Sequence, residues 1–207
     1  MPRVFSTLFC FAGLAGLLVS LIGCANPLNV GHYQRYMDLG GAAEQRGDYT
    51  TARRCYVRSR NEAVAGFLGK GAESAALYNW ARMDGMLGDF KGAEQGLKEA
   101  LRLEDEVYGV GGGHASMRWF ELARLYYAWG RYQDSVAAYE QAFPLADRHD
   151  ARKSDPLTYA ACLRDFADAL DQTGASSRAQ QEREKAASIR EQAPSPKILH
   201  YPRKASP

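Results

Sequence analysis

The chain has 207 residues, 26 of them Lys or Arg and 24 Asp or Glu, and 46% of it is hydrophobic. That length suits one ordinary domain with a tail and is too short for a large multidomain enzyme. A formal charge of +2 makes no electrostatic case for nucleic acid, which calls for a basic domain or stripe. With 24% charged residues and 20 Gly the chain is neither collagen-like nor broadly disordered, and four Cys are too few for a disulfide scaffold.

Residues 4–23 carry no charged side chain, residues 8–19 are almost wholly apolar, and Arg3 stands in front of them. This is the pattern of a secretory signal with a short positive start. The run closes on Leu21, Ile22, Gly23 and Cys24, followed by Ala25, Asn26 and Pro27. The segment resembles the lipobox of bacterial lipoproteins. The resemblance implies that residues 1–23 are cut away and that Cys24 becomes the first residue of the mature chain, with a diacylglycerol on its thiol and a further acyl chain on its amine. A thiol suits this chemistry because its thiolate is the strongest nucleophile among side chains so small, and Gly23 suits a peptidase pocket for small residues. An uncleaved transmembrane anchor is the competing reading, since the apolar run is just long enough to span a bilayer. Such an anchor has no use for Gly-Cys at its outer edge. Two or more acyl chains, at about 0.8 kcal/mol per buried CH₂, hold a protein on a membrane where one does not. No Asp follows Cys24; in a two-membrane cell the resemblance then implies the periplasmic face of the outer membrane. Residues 24–32 read as the lipidated Cys and a short tether.

From residue 33 onward the sequence is periodic. A Gly is followed by an aromatic at +2 and a small residue at +5 in three places: Gly47, Tyr49 and Ala52; Gly88, Phe90 and Ala93; Gly130, Tyr132 and Ser135. A fourth copy, Gly174 with Ala179, has lost the aromatic. The glycines lie 41, 42 and 44 residues apart. Four residues beyond each small one stand Tyr56, Leu97, Tyr139 and, in the degenerate copy, Arg183; seven beyond stand Ser59, Ala100, Ala142 and Ala186. Apolar residues recur at helical spacing before each Gly, as in Trp119, Leu122, Ala123 and Tyr126, or Leu163, Phe166, Ala167 and Leu170. Each unit therefore predicts two helices joined at a Gly able to take the left-handed conformation that ends a helix. Gly40, Ala81, Ala123 and Ala167 allow the two helices to approach closely, and the aromatics fill the space between units. An aromatic stripe could also line a cofactor pocket, but repetition at a fixed period favours core packing.

This pattern resembles the tetratricopeptide (TPR) repeat over residues 33–192, in its longer kinesin-light-chain-like form because the period is near 42 rather than 34. The resemblance implies an all-α, right-handed α-solenoid of about four helix-turn-helix repeats, near residues 33–70, 74–112, 116–155 and 160–192. The glycine-rich stretch from Gly109 to His114 sits where such proteins carry a Gly-x-x-His loop, and is expected to be a flexible connector. A phosphate-binding loop there would need a Lys-Ser/Thr after it and a strand before it, and neither is present. The last helix, around residues 177–186, is polar, as a terminal repeat with a wet outer face should be. Residues 193–207 contain Pro194, Pro196, Pro202 and Pro207 and are expected to be disordered; Ile198, Leu199, His200 and Tyr201 within them read as a docking peptide or as plain tail.

No catalytic constellation emerges. His32, His114, His149 and His200 are scattered and none has a second ligand at metal spacing. Asp165, Asp168 and Asp171 follow one another at i, i+3 and i+6 and read as an acidic stripe before a metal site. Cys55 and Cys162 belong to different repeats and are expected to stay unpaired. No metal, cofactor or nucleic acid is therefore expected. What the TPR resemblance does imply is a concave groove lined by the first helix of each repeat, taking a protein or peptide. Carried over position by position, it assigns Tyr78 and Arg82 in the second repeat, Phe120, Arg124 and Tyr127 in the third and Arg164 in the fourth. Guanidiniums beside aromatics suit an extended peptide with carboxylates and apolar side chains. Met37 and Gly41 stand where chaperone-binding TPR domains carry a clamp of Lys and Asn, so a chaperone tail is not implied. The expected function is a membrane-anchored adaptor for an envelope complex; the alternatives are a structural oligomerisation spacer and a cell-wall-active enzyme.

Overall fold

In the computed structural model residues 25–193 are described. The signal segment, Cys24 and residues 194–207 lie outside them. Among the described residues all regular structure is helical: α1 (Pro27–Gln45), α2 (Tyr49–Ala65), α3 (Lys70–Met86), α4 (Phe90–Tyr108), α5 (Ala115–Ala128), α6 (Tyr132–Arg148), the single turn α7 (Ala151–Ser154), α8 (Pro156–Gln172) and α9 (Ser176–Gln192). None of these helices is long and apolar enough to cross a membrane.

The pairs α1–α2, α3–α4, α5–α6 and α8–α9 are the four repeats. Each turn follows the same rule. Gly47, Gly88, Gly130 and Gly174 have φ between 74° and 87°. In each case the amide after the glycine reaches back five residues: Asp48 to Ala43, Asp89 to Asp84, Arg131 to Tyr126, Ala175 to Leu170, at 2.8–3.0 Å. These are Schellman closures, which satisfy the last carbonyls of the first helix. The next helix is then capped by the side chain of Asp48 on the Thr51 amide (3.0 Å) or of Asp89 on the Gly92 amide (2.9 Å).

The chain divides into two compact units, one up to Arg118 and one from Trp119; α5 gives its first turn to the first. In the first unit Ala43, Ala52, Tyr56 and Met83 form one buried cluster, with Met37, Tyr49 and Trp80 against it. Leu77, Ala100 and Leu103 form another. The repeat-spaced small residues are where the helices touch: a Cβ on Gly40 would lie 2.6 Å from the Tyr56 ring, and one on Gly96 would lie 2.7 Å from Ala81 Cβ. In the second unit Ala160, Leu163, Ala186 and Ile189 are buried together. Phe120, Tyr139, Phe143, Tyr159 and Phe166 form an aromatic cluster, mostly tilted or edge-on, with ring centroids 5.0–6.2 Å apart. The polar α9 buries only Ala179, Glu182, Ala186 and Ile189, as the sequence of a terminal repeat predicts.

Two expectations are corrected. The tether expected over residues 24–32 is helical from Pro27, because Asn26 caps α1 by accepting the Leu28 amide (3.0 Å) and Pro27 has the φ that a first helical residue needs. The connector 109–114 is also not a loose one. Its amides at Gly111 and His114 donate to Asp105 Oδ1 (3.0 Å) and Glu104 Oε1 (2.8 Å), which pin it to the end of α4.

Candidate partner-binding surface

The residues implied as groove positions fall into two sets, one in each unit. In the first unit, Tyr78 and Arg82 sit one turn apart on α3. Arg82 donates to Glu44 Oε1 at 2.5 Å and to Asn79 Oδ1 at 3.2 Å, and its guanidinium lies 5.6 Å from the Tyr78 ring centroid. Glu44, on α1, also accepts the Tyr56 hydroxyl at 3.0 Å. Burial, and then the Glu44 carboxylate, push the Tyr56 phenol well above its ordinary range. The Arg82 charge is thus engaged by the neighbouring repeat before any ligand arrives.

A second guanidinium lies closer to Tyr78. Arg118, the last residue of the first unit, stacks over Tyr78 at 4.5 Å and donates to Glu104 Oε2 at 3.1 Å. Glu104 also receives the Ser74 hydroxyl (3.0 Å) and, at its other oxygen, the His114 amide. Arg118, Glu104 and Ser74 are all buried. Burial alone would raise the Glu104 carboxyl. The His114 amide and the Arg118 guanidinium outweigh it and hold the group below the usual range. Asp84 is the opposite case: burial dominates, and although Arg53 donates at 2.5 Å the carboxyl is raised.

In the second unit, Arg124 and Tyr127 line a hollow of about 200 Å³ with Tyr139, Asp165 and Asp168. Arg124 Nε donates to Asp165 Oδ2 at 3.0 Å, Nη2 lies 3.5 Å from Cys162 Sγ, and Nη1 lies 3.8 Å from Glu121. Burial lowers the Arg124 pKa, but these acidic neighbours overcome it and the guanidinium stays charged. Tyr127, 37% exposed, leans on Tyr132 with centroids 5.4 Å apart. The hollow therefore brings together the Arg124 guanidinium with Asp165 paired to it, the Asp168 carboxylate, and the rings of Tyr127 and Tyr139. Tyr139 and Asp165 belong to this hollow although groove positions alone do not select them. Tyr139 follows the core register of the second helix, and Asp165 sits one residue past the implied position.

The other implied residues lie elsewhere. Phe120 packs into the aromatic cluster, edge-on to Phe143 at 5.0 Å. Arg164 opens on a separate hollow of about 420 Å³ with Arg183, Ala187, Arg190 and Glu191. The acidic stripe is neutralised by arginines: Asp165 by Arg124, and Asp168 and Asp171 by Arg183 at 2.8 and 2.6 Å. No group of three His, Cys, Asp or Glu among the described residues is placed to hold a metal ion. A further hollow of about 580 Å³ is lined by Phe143, Tyr159 and Phe166 among others, and by none of the implied groove positions. Two ion pairs lie within its lining, Arg178 to Glu140 at 2.7 Å and Lys185 to Glu182 at 2.9 Å.

Comparison with known proteins agrees with this architecture. Residues 73–148 match the family model of the tetratricopeptide repeat. No curated protein matches the chain. Among solved structures, BtubC (BKLC) from P. vanneervenii superposes with a TM-score of 0.70 at 19% identity, over 84% of this chain and 68% of that one. A kinesin-light-chain-like protein of Podosopora anserina with nearly identical TPR-like repeats gives 0.66 at 18% identity, over 79% and 77%. MamA gives 0.56 at 16% identity, over 86% and 84%. At such identities the likeness is one of fold. The chain carries tetratricopeptide repeats over residues 73–148, within an all-helical fold that resembles the kinesin-light-chain type.

Proposed function

We propose that this protein is a lipid-anchored adaptor of the bacterial envelope, tethered through Cys24 and holding a protein partner on the first helices of its repeats. The lipobox-like run ending at Gly23 and Cys24 supports the address. The repeat fold supports the class of function, because stacked helix pairs present a continuous surface for binding rather than a reaction centre. The hollow of Arg124, Tyr127, Tyr139, Asp165 and Asp168 carries the reading. An arginine fork beside tyrosine rings suits an extended peptide that carries a carboxylate and apolar side chains. Asp165 already occupies Arg124, so a carboxylate on the partner binds by displacing it.

The test is site-specific photo-crosslinking from position 127 in the intact envelope, with and without Arg124→Ala. A discrete adduct that disappears with Arg124→Ala is expected. Adducts only with a second copy of the chain would instead establish the oligomerisation spacer. No adduct at all would remove the groove as a binding site.

A further inference from the structure

Phe67 is an aromatic residue in the wrong place for both packing and turn chemistry. It lies in the short connector between α2 and α3, 75% exposed, with φ of 54°. A residue with a bulky side chain is disfavoured in that left-handed region. Gly or Asn would hold the same turn without placing an apolar ring in water.

The surroundings of Phe67 give it a use. The Asn26 amide donates to the Gly66 carbonyl at 3.0 Å, and Asn29 Nδ2 donates to Glu62 Oε2 at 2.7 Å. A Cβ on Gly66 would lie 2.3 Å from Asn29 Cβ. The connector is therefore clamped against the first turn of α1. In that turn Leu28 is 73% exposed, and in the last turn of α2 Val64 is 50% exposed. Cys24 stands two residues before Asn26 in the sequence, and two residues of fully extended chain span at most about 7 Å. Acyl chains on Cys24 would hold this end of the unit at the bilayer surface.

We propose that Leu28 and Phe67 form an apolar wedge that enters the interfacial region of the membrane, so that the first repeat stands on the bilayer in a fixed orientation instead of swinging from its lipid. The partner is a lipid surface. The inference rests on Cys24 as the lipid-bearing residue, and adds to it a second contact whose side chains the anchor itself does not require. Apolar groups presented at an interface settle at the headgroup and acyl boundary, about 5–10 Å deep.

The test uses the full lipid-anchored chain in phosphatidylethanolamine/phosphatidylglycerol vesicles containing lipid brominated near the glycerol end of its acyl chains. Phe67→Trp adds one indole to Trp80, Trp119 and Trp129. Bromolipid should quench the added fluorescence roughly two-fold or more, as expected for a ring at that depth, and leave the parent fluorescence nearly unchanged. In the unsubstituted protein, vesicles should slow hydrogen exchange at residues 66–68, and Phe67→Asn, which suits the left-handed turn, should abolish that protection. Palmitate labelling at Cys24 without quenching or exchange protection overturns the wedge and leaves the anchor standing. No labelling at Cys24 overturns both.

Discussion

Arg118 and Glu104, 14 positions apart, meet at 3.1 Å with 4% and 2% of their side chains exposed. Breaking such a pair from one side strands a charge in the interior, at about 3–5 kcal/mol. Arg118→Ala and Glu104→Ala are each expected to destabilise on that scale in urea unfolding. Replacing both by apolar residues of similar volume should recover most of the loss. If either single variant unfolds at the urea midpoint of the unsubstituted protein, the pair is not structural.

Acid should act through the same carboxylate. Glu104 is held below its ordinary value in the fold, so the folded state binds its proton less readily than the unfolded chain does. Its contribution is fully present above the ordinary glutamate pKa, about 4.3, and is lost as pH falls from there through the depressed folded value. The urea midpoint of the unsubstituted protein should drop over that window. The gap between it and Glu104→Gln should narrow across the same range, and an unchanging gap would contradict the assignment.

The pair Arg124 and Asp165 separates binding from folding. Both side chains are about two-fifths exposed, and exposed pairs contribute about 0.2–1 kcal/mol. Asp165→Ala should therefore barely move the melting temperature. It frees the Arg124 fork, so crosslinking from position 127 to an acidic partner should rise with Asp165→Ala and fall with Arg124→Ala. Equal falls in both would indicate that the bridge only shapes the surface.

Gly40 tests the close approach of α1 and α2. A Cβ there meets the Tyr56 ring at 2.6 Å, and overpacking of this kind costs about 1–3 kcal/mol. Gly40→Ala should lower stability by that order, and Tyr56→Leu in the same chain should return part of it. Thermal unfolding followed by circular dichroism reads both.

The two described thiols should differ in reactivity. Burial pushes the Cys162 thiol up to about 11, and it is buried, whereas Cys55 is half-buried. Thiolate is the reacting form. Iodoacetamide on the folded protein should modify Cys55 first and Cys162 only on unfolding, as peptide mass mapping would show.

The repeats were legible because their determinants are local and recur. Gly47, Gly88, Gly130 and Gly174 mark the turns, and Ala52, Ala93, Ser135 and Ala179 are all buried where the period places them. The surface was less legible for a physical reason. Its positions follow from helical register, but the state of each side chain depends on residues about a repeat away. Arg82 reads as a free cation until Glu44 is seen beside it, and Arg124 until Asp165 is. Phe120 has the register of a groove residue but is half-buried against Phe143. The Arg118 to Glu104 pair was not legible either, because Glu104, followed by Asp105 and Glu106 near a helix end, reads as part of a solvated acidic face, whereas the structure buries it. Asn26 and Pro27 did carry the signature of a helix start, which moves the beginning of α1 into the expected tether.

The Schellman turns bear on the rate at which this chain finds its structure. Each closes a helix hairpin using residues within a few positions of one another, and bridges such as Arg82 to Glu44 and Arg124 to Asp165 span 38 and 41 positions. No strand has to await a distant partner among the described residues. Loop closure over such distances is entropically modest, and folds of low contact order assemble quickly. As the chain is synthesised from its amino end, α1 can close on α2 before α8 and α9 emerge.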